Sequence, residues 1–159
     1  MKITENYVFF WDGIYSQWYE APMKINGVLY NCCEQYMMHQ KALYFGDKNT
    51  AEKIMLTSHP KDQKQLGREV KGFEKFKWDK VCLSIVYEGN LAKFLQNPDL
   101  KKELLATKDR LLVEASPVDA EWGIGMHEKD LGVDDPINWT GKNLLGWALT
   151  LVKKEISKL

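Results

Sequence analysis

The chain alternates between two hydrophobic rhythms. Tyr7–Trp11 is an almost unbroken apolar run ended by Asp12-Gly13, which predicts a short strand. In MKINGVLY, residues 23–30, Asn26-Gly27 lies between two short apolar segments. Both central positions of a tight hairpin turn need positive φ, so this pair predicts a β-hairpin. A helical period follows. Asn31 reads as an N-cap with Glu34 three residues on as its capping-box partner, and Gly46 reads as the stop of a helix ending near Phe45. Tyr36, Met37, Gln40, Lys41 and Tyr44 recur at helical spacings along it.

Short helices are expected at Thr50–Leu56 and Pro60–Leu66. Trp78–Leu95 reads as a longer one, with Gly89-Asn90 a candidate kink. Asn97-Pro98 opens a helix through Ala106, because proline suits the first helical position. Arg110–Ala115 reads as a strand. From Ser116 to Gly141 no period holds, and a stretch of that kind in a small domain is functional or disordered. Its two tryptophans, Trp122 and Trp139, argue against disorder. The last helix is expected to start near Thr140, burying Leu145, Leu149, Val152 and Ile156.

Length and charge narrow the function. At 159 residues the chain favours one domain with a genuine core. Lys+Arg and Asp+Glu both number 22, so bulk attraction to duplex DNA or an anionic membrane is not the organising principle. No apolar run approaches the ~20 residues of a membrane span, and the N-terminus lacks a signal-peptide core. Cys32, Cys33 and Cys82 are odd in number, two are adjacent, and no CxxC occurs, which suits a reducing, cytoplasmic setting. His39, His59 and His127 show no metal-ligand spacing, so no metal site is expected. An aromatic content of 12% supplies core, and also flat surfaces on which a base can stack.

Four segments carry candidate chemistry. In NCCEQYMMHQK, Glu34 and Lys41 are seven apart and share a helix face. A carboxylate beside an amine can do acid–base work, and a desolvated lysine can be a nucleophile. The plainer reading is a capping glutamate and a solvated lysine. In LVEASPVDAEWGIG, Asp119 can answer positive charge on a sugar, Trp122 can stack a base, and Gly123 and Gly125 allow close backbone approach. An ordinary turn with a core tryptophan fits the same residues. In WTGKNLLG the start of the last helix, Thr140–Asn143, offers N–H groups for a phosphate. In LGREVKGF, Arg68 and Lys71 beside Gly67 and Gly72 can grip a diphosphate, or form a solvated basic loop. Cys33, beside Glu34 near a helix start, reads either as a low-pKa thiol or as a buried structural one.

Together these stretches resemble the NADAR superfamily, the YbiA-like family. The matching blocks are residues 16–47, 66–73, 78–81, 90–107, 112–125 and 139–149, in the family's order. The resemblance implies an α+β fold: a mainly helical single domain, residues 1–159, around a small antiparallel sheet. It implies N-glycosidase activity on ribose-linked substrates, either ADP-ribosylated guanine in nucleic acid or riboflavin-pathway ribosylaminopyrimidine phosphates. Glu34, Lys41 and Asp119 fall on motif positions that look catalytic, with Trp122 beside them. Trp18, Arg68, Lys71, Trp78, Gly123 and Asn143 fall in blocks that look substrate-binding. Family lysines are associated with a Schiff base to the ribose anomeric carbon. The partner implied is an ADP-ribosyl or phosphoribosyl substrate, ADP-ribosylated nucleic acid included, with no cofactor and no membrane. Where many members carry Ser-Asn-Phe/Trp-Tyr, this chain has Ser16-Gln17-Trp18-Tyr19. The rival reading is a non-catalytic ADP-ribose or NAD-binding module, and a structural protein with a tryptophan-rich surface is a third.

Overall fold

The computed structural model describes residues 1–159 as two compact units, residues 17–98 and residues 1–16 with 99–159. The predicted N-terminal strand is β2, Tyr7–Phe10, and it lies in the second of these units. It pairs antiparallel with β1, Lys2–Ile3, and parallel with β5, Leu111–Glu114, in the order β1-β2-β5. The sheet is therefore mixed rather than purely antiparallel. A parallel pair needs a long crossover, and here the whole chain between Phe10 and Leu111 supplies it. As the central strand, β2 is buried from Val8 to Phe10, which is why it reads as a continuous apolar run. Phe9, Val113, Ala115, Ile124 and Val133 form one core cluster, against which Tyr7 and Trp139 pack.

Helix α5, Pro98–Ala106, precedes β5, and α6, Leu144–Ile156, closes the chain. The predicted stripe of α6, Leu145, Leu149, Val152 and Ile156, is buried. Between β5 and α6 the aperiodic stretch is ordered by its own backbone. The N–H groups of Thr140 and Gly141 donate to the Ile124 carbonyl, those of Lys142 and Asn143 to Ala120 and Gly123, and those of Leu144 and Leu145 to Glu121 and Trp122. Residues 120–124 thus lie alongside 140–145 without forming a ladder. The Trp139 indole N–H donates to the Val133 carbonyl at 2.7 Å and pins the outer turn.

The other unit holds the hairpin of β3, Met23–Ile25, and β4, Val28–Tyr30, with Asn26 at φ 52° and Gly27 at φ 81°, as Asn-Gly predicts. Helix α1, Cys33–Tyr44, packs against α2, Lys48–Met55, α3, Pro60–Arg68, and α4, Lys75–Gln96. Every residue from Cys33 to Met38 is buried, the polar Glu34 and Gln35 included. The expected capping box is not what starts α1. Its N-cap is Cys32, without a side-chain cap. Instead Gln35 reaches back to accept from the Asn31 N–H at 2.9 Å, and the Glu34 N–H donates to the Gln17 carbonyl at 2.9 Å. Glu34 is thereby relieved of a capping role. The predicted stop holds: Gly46, at φ 76°, donates to Leu43, and Asp47 donates to Ala42, closing the helix end.

Helix α4 runs unbroken through Gly89. A Cβ there would sit 2.8 Å from the Tyr36 ring, so the glycine serves close packing of α1 on α4 rather than a kink.

Candidate active site

Glu34 stands in the first turn of α1 and is 4% exposed. Lys41 is seven residues on, so its Cα lies about 10 Å further along the helix. Helical side chains lean towards the N-terminus, and the seven-residue spacing puts Lys41 on the same helix face as Glu34. Its Nζ lies 4.5 Å from the centre of the Phe73 ring and 5.9 Å from that of Trp78. Trp78, in the first turn of α4, is 8% exposed and walls this face. Lys41 is half-buried, and desolvation holds its ammonium below the ordinary lysine pKa. The Glu34 charge opposes that fall, and the Arg68 guanidinium adds to it. Burial outweighs the carboxylate, so the net shift is downward.

The basic loop expected at 66–73 is organised differently from its sequence reading. Leu66–Arg68 is the last turn of α3, where a Cβ on Gly67 would lie 1.9 Å from the Met38 sulfur; the glycine seats α3 on α1. Arg68 and Lys71 are exposed. The Lys71 N–H donates to Asp47 at 2.9 Å, and Asp47 also caps α2 through the Thr50 N–H and hydroxyl. These bonds, the Lys71 N–H first, hold the Asp47 carboxyl down to about 2. The segment that leads to Phe73 is therefore tied to the start of α2. Trp18 is 41% exposed, with Lys64 Nζ 5.9 Å from its ring centre.

In the other unit, Asp119 Oδ1 accepts from the Glu121 and Trp122 N–H groups, both at 2.9 Å, while Oδ2 carries no hydrogen bond within the protein. The Trp122 ring is partly exposed. Two expectations change here. The close approach at Gly123 is to protein backbone: a Cβ would lie 2.9 Å from the carbonyl oxygens of Asp119 and Glu114. The expected phosphate site at Thr140–Asn143 also loses its premise. Helix α6 begins at Leu144, and the N–H groups of 140–145 already donate to carbonyls of 120–124. Asn143 is 1% exposed at φ 55°; its Oδ1 accepts from the Glu114 N–H at 2.9 Å and its Nδ2 donates to the Leu112 carbonyl at 3.1 Å. It clasps β5 to α6.

The thiols are structural. Burial pushes Cys33 up to about 12 and Cys32 up to about 11. His39 takes a hydrogen bond with the Tyr30 hydroxyl at 2.8 Å, and burial lowers its pKa. It lines a groove of ≈ 530 Å³ with Leu43, Ala51, Met55 and Leu56. His39 and Lys41 are two residues apart, about 200° round the helix, so that groove is separate from the Glu34–Lys41 face.

Sequence reasoning missed Phe73, Asn90 and Lys93, and marks Gln17 only as a departure from the family's Ser-Asn-Phe/Trp-Tyr. Lys93 is fully buried, lies 5.6 Å from the Tyr19 ring centre and 5.1 Å from that of Phe94, and burial lowers its pKa. Its signal was a lysine on the apolar side of a helix. Phe73 had one too, as an aromatic just past the glycine of a basic loop.

Known proteins resemble the chain over most of its length. The chain is 45% identical over 166 residues to a protein named N-glycosidase R617 from Acanthamoeba polyphaga mimivirus, covering 96% of this chain and 97% of that one. It is 30% identical over 145 residues to N-glycosidase YbiA of Escherichia coli, covering 91% of this chain and 82% of that protein. The NMR structure of YbiA superposes with a TM-score of 0.80 at 27% identity, over 99% of this chain and 88% of that one. A Vibrio vulnificus protein named riboflavin biosynthesis protein VVA0006 is 27% identical over 99% of this chain, which spans 40% of that longer protein. The NADAR domain matches residues 9–157, and the chain belongs to this family.

Proposed function

We propose that this protein is an N-glycosyl hydrolase that breaks the C1′–N bond between a phosphorylated ribose and a base. The observation that carries the reading is Lys41, an amine half-buried against Phe73 and Trp78 whose proton is weakened by desolvation, on one helix face with the buried carboxyl of Glu34. The N-glycosidase names of relatives that match nearly the whole chain support it.

The chemistry follows from those two groups. Neutral Lys41 Nζ gives its lone pair to C1′ as the C1′–N bond breaks. The base leaves with that bond's electron pair, and the Glu34 carboxylate relays to it a proton from the Nζ ammonium so formed. The same carboxylate then carries the remaining Nζ proton to the ring oxygen. The C1′–O4′ bond then opens and leaves an imine between Lys41 and C1′. Water adds at C1′, the amine is expelled, and the freed aldehyde recloses to ribose. Asp119, with Oδ2 uncommitted, is the candidate for stabilising charge on the sugar; Asp119→Asn tests that role. Trp18, Arg68, Lys71 and Trp122 are candidates for substrate contact, and Trp78 for the wall beside the amine. Gly123 and Asn143 support this chemistry by holding the loop.

The substrate is a base linked to ribose phosphate: ADP-ribosylated guanine in nucleic acid, or a riboflavin-pathway ribosylaminopyrimidine phosphate, which the Vibrio relative's name favours. The test is incubation of the protein with an ADP-ribosylated oligonucleotide and, separately, with the ribosylaminopyrimidine phosphate, followed by chromatography for released base and sugar. Release from either supports the reading and chooses between the substrates. Binding of ADP-ribose or NAD with no release from either identifies a non-catalytic module.

A further inference from the structure

A buried polar network adjoins the start of α1 through the Glu34 backbone N–H. Asn90, fully buried in α4, donates from Nδ2 to the Gln17 Oε1 at 2.8 Å and to the Val86 carbonyl at 2.9 Å. Its Oδ1 takes the Cys33 thiol at 3.6 Å. Gln17 accepts the Glu34 N–H on its own backbone carbonyl at 2.9 Å. Gln17 is thus fixed at its backbone by Glu34 and at its side-chain oxygen by Asn90. The remaining group, the Nε2 amide, is buried and has no hydrogen-bond partner.

Buried donors without a partner are rare in folded proteins and cost stability. One fixed this firmly, one hydrogen bond from the residue with the reactive carboxyl, calls for an acceptor that is absent from the free protein. Gln17 as a whole is only partly buried.

We propose that Gln17 Nε2 donates a hydrogen bond to the 2′-oxygen of the substrate ribose, making Gln17 a specificity-determining residue that selects ribo- over 2′-deoxyribo-substrates. This rests on the N-glycosidase reading, which puts C1′ before Glu34 and Lys41. The acceptor bonded to the carbon next to C1′ is the 2′-hydroxyl. In glycoside hydrolysis, hydrogen bonds to that hydroxyl strengthen in the transition state, and a site built to bond a hydroxyl rejects the analogue that lacks it.

The test is a cycle of two enzymes and two substrates: wild type and Gln17→Met, each with a ribo-substrate and its 2′-deoxy analogue. The interaction term cancels the analogue's intrinsic reactivity. The expected result is a ribo/deoxy ratio in kcat/KM that falls at least about tenfold in Gln17→Met, the range lost with one hydrogen bond. A purely structural Gln17 lowers both activities together and leaves the ratio unchanged, which overturns the proposal. Should Gln17→Met fail to fold, wild-type protein is titrated with ribose 5-phosphate and with 2-deoxyribose 5-phosphate. Tighter binding of the ribo-sugar, with a shift of the Gln17 side-chain amide NMR signal, supports the proposal; equal binding of the two overturns it. Wild type that releases no base and binds neither sugar overturns the N-glycosidase reading and this inference with it. Wild-type turnover without ribo/deoxy coupling overturns this inference alone.

Discussion

Replacing Asn143 with Ala separates a structural clasp from a phosphate ligand. The side chain is 1% exposed and joins two backbone groups of β5, the Glu114 N–H and the Leu112 carbonyl. Truncation leaves both buried without their partner, at about 1–2 kcal/mol each. The residue also sits at φ 55°, where asparagine is tolerated and alanine costs roughly 1 kcal/mol more. The sum is a loss of about 3–5 kcal/mol, a large share of the ~5–15 kcal/mol that holds a domain together. Asn143→Gly removes the backbone strain and should lose about 1 kcal/mol less than Asn143→Ala. Urea denaturation followed by tryptophan fluorescence measures both. A loss under about 1 kcal/mol, together with a collapse in kcat/KM, would contradict the clasp and restore Asn143 as a substrate contact.

Three further outcomes are expected. Gly146→Ala should destabilise by about 1–3 kcal/mol in the same assay, since its Cβ would lie 2.1 Å from the Leu112 carbonyl oxygen. Asp47→Ala should lower the melting temperature at pH 7 by about 2–4 °C. Asp47 is held at about 2 against 3.8 ordinarily, so its native-state advantage is complete above pH 4 and lost as the pH falls through about 2, and scans over that window should show the gap to wild type closing. If Lys41 attacks as the free amine, kcat/KM should rise with pH to a midpoint below 10.5, and Arg68→Ala, which removes a neighbouring cation, should move that midpoint upward. A limb that Arg68→Ala leaves in place argues against Lys41 as its source.

Local rules read well from this chain. Asn26-Gly27, Gly46, the α6 stripe and the helical spacing of Glu34 and Lys41 depend on nearest neighbours, and the structure has them where the pattern puts them. What escaped depends on distant partners. The capping-box reading of Glu34 failed because Gln17, a hairpin away, takes the N–H at that helix start. The phosphate reading of Thr140–Asn143 failed because carbonyls some twenty residues earlier close those N–H groups. Gly67 reads as part of a diphosphate grip, Gly89 as a kink and Gly123 as room for a ligand, and each instead packs closely, against Met38, the Tyr36 ring and the Asp119 and Glu114 carbonyls. Lys41 had two readings, solvated or desolvated; Phe73 and Trp78, more than thirty residues on, decide for the second.

The central claim is that Lys41 becomes covalently bonded to the sugar, and reduction during turnover tests it most directly. Borohydride converts an imine between Lys41 and C1′ into a stable secondary amine, which peptide mass spectrometry locates to a residue. The account predicts an opened-ribose adduct on Lys41 that requires substrate, with trapping and base release both lost in Lys41→Arg because a guanidinium stays charged. Base release by wild type with no adduct on Lys41, together with a Lys41→Arg enzyme that keeps more than about a tenth of wild-type kcat, would contradict it. The carboxylates would then have to activate water directly.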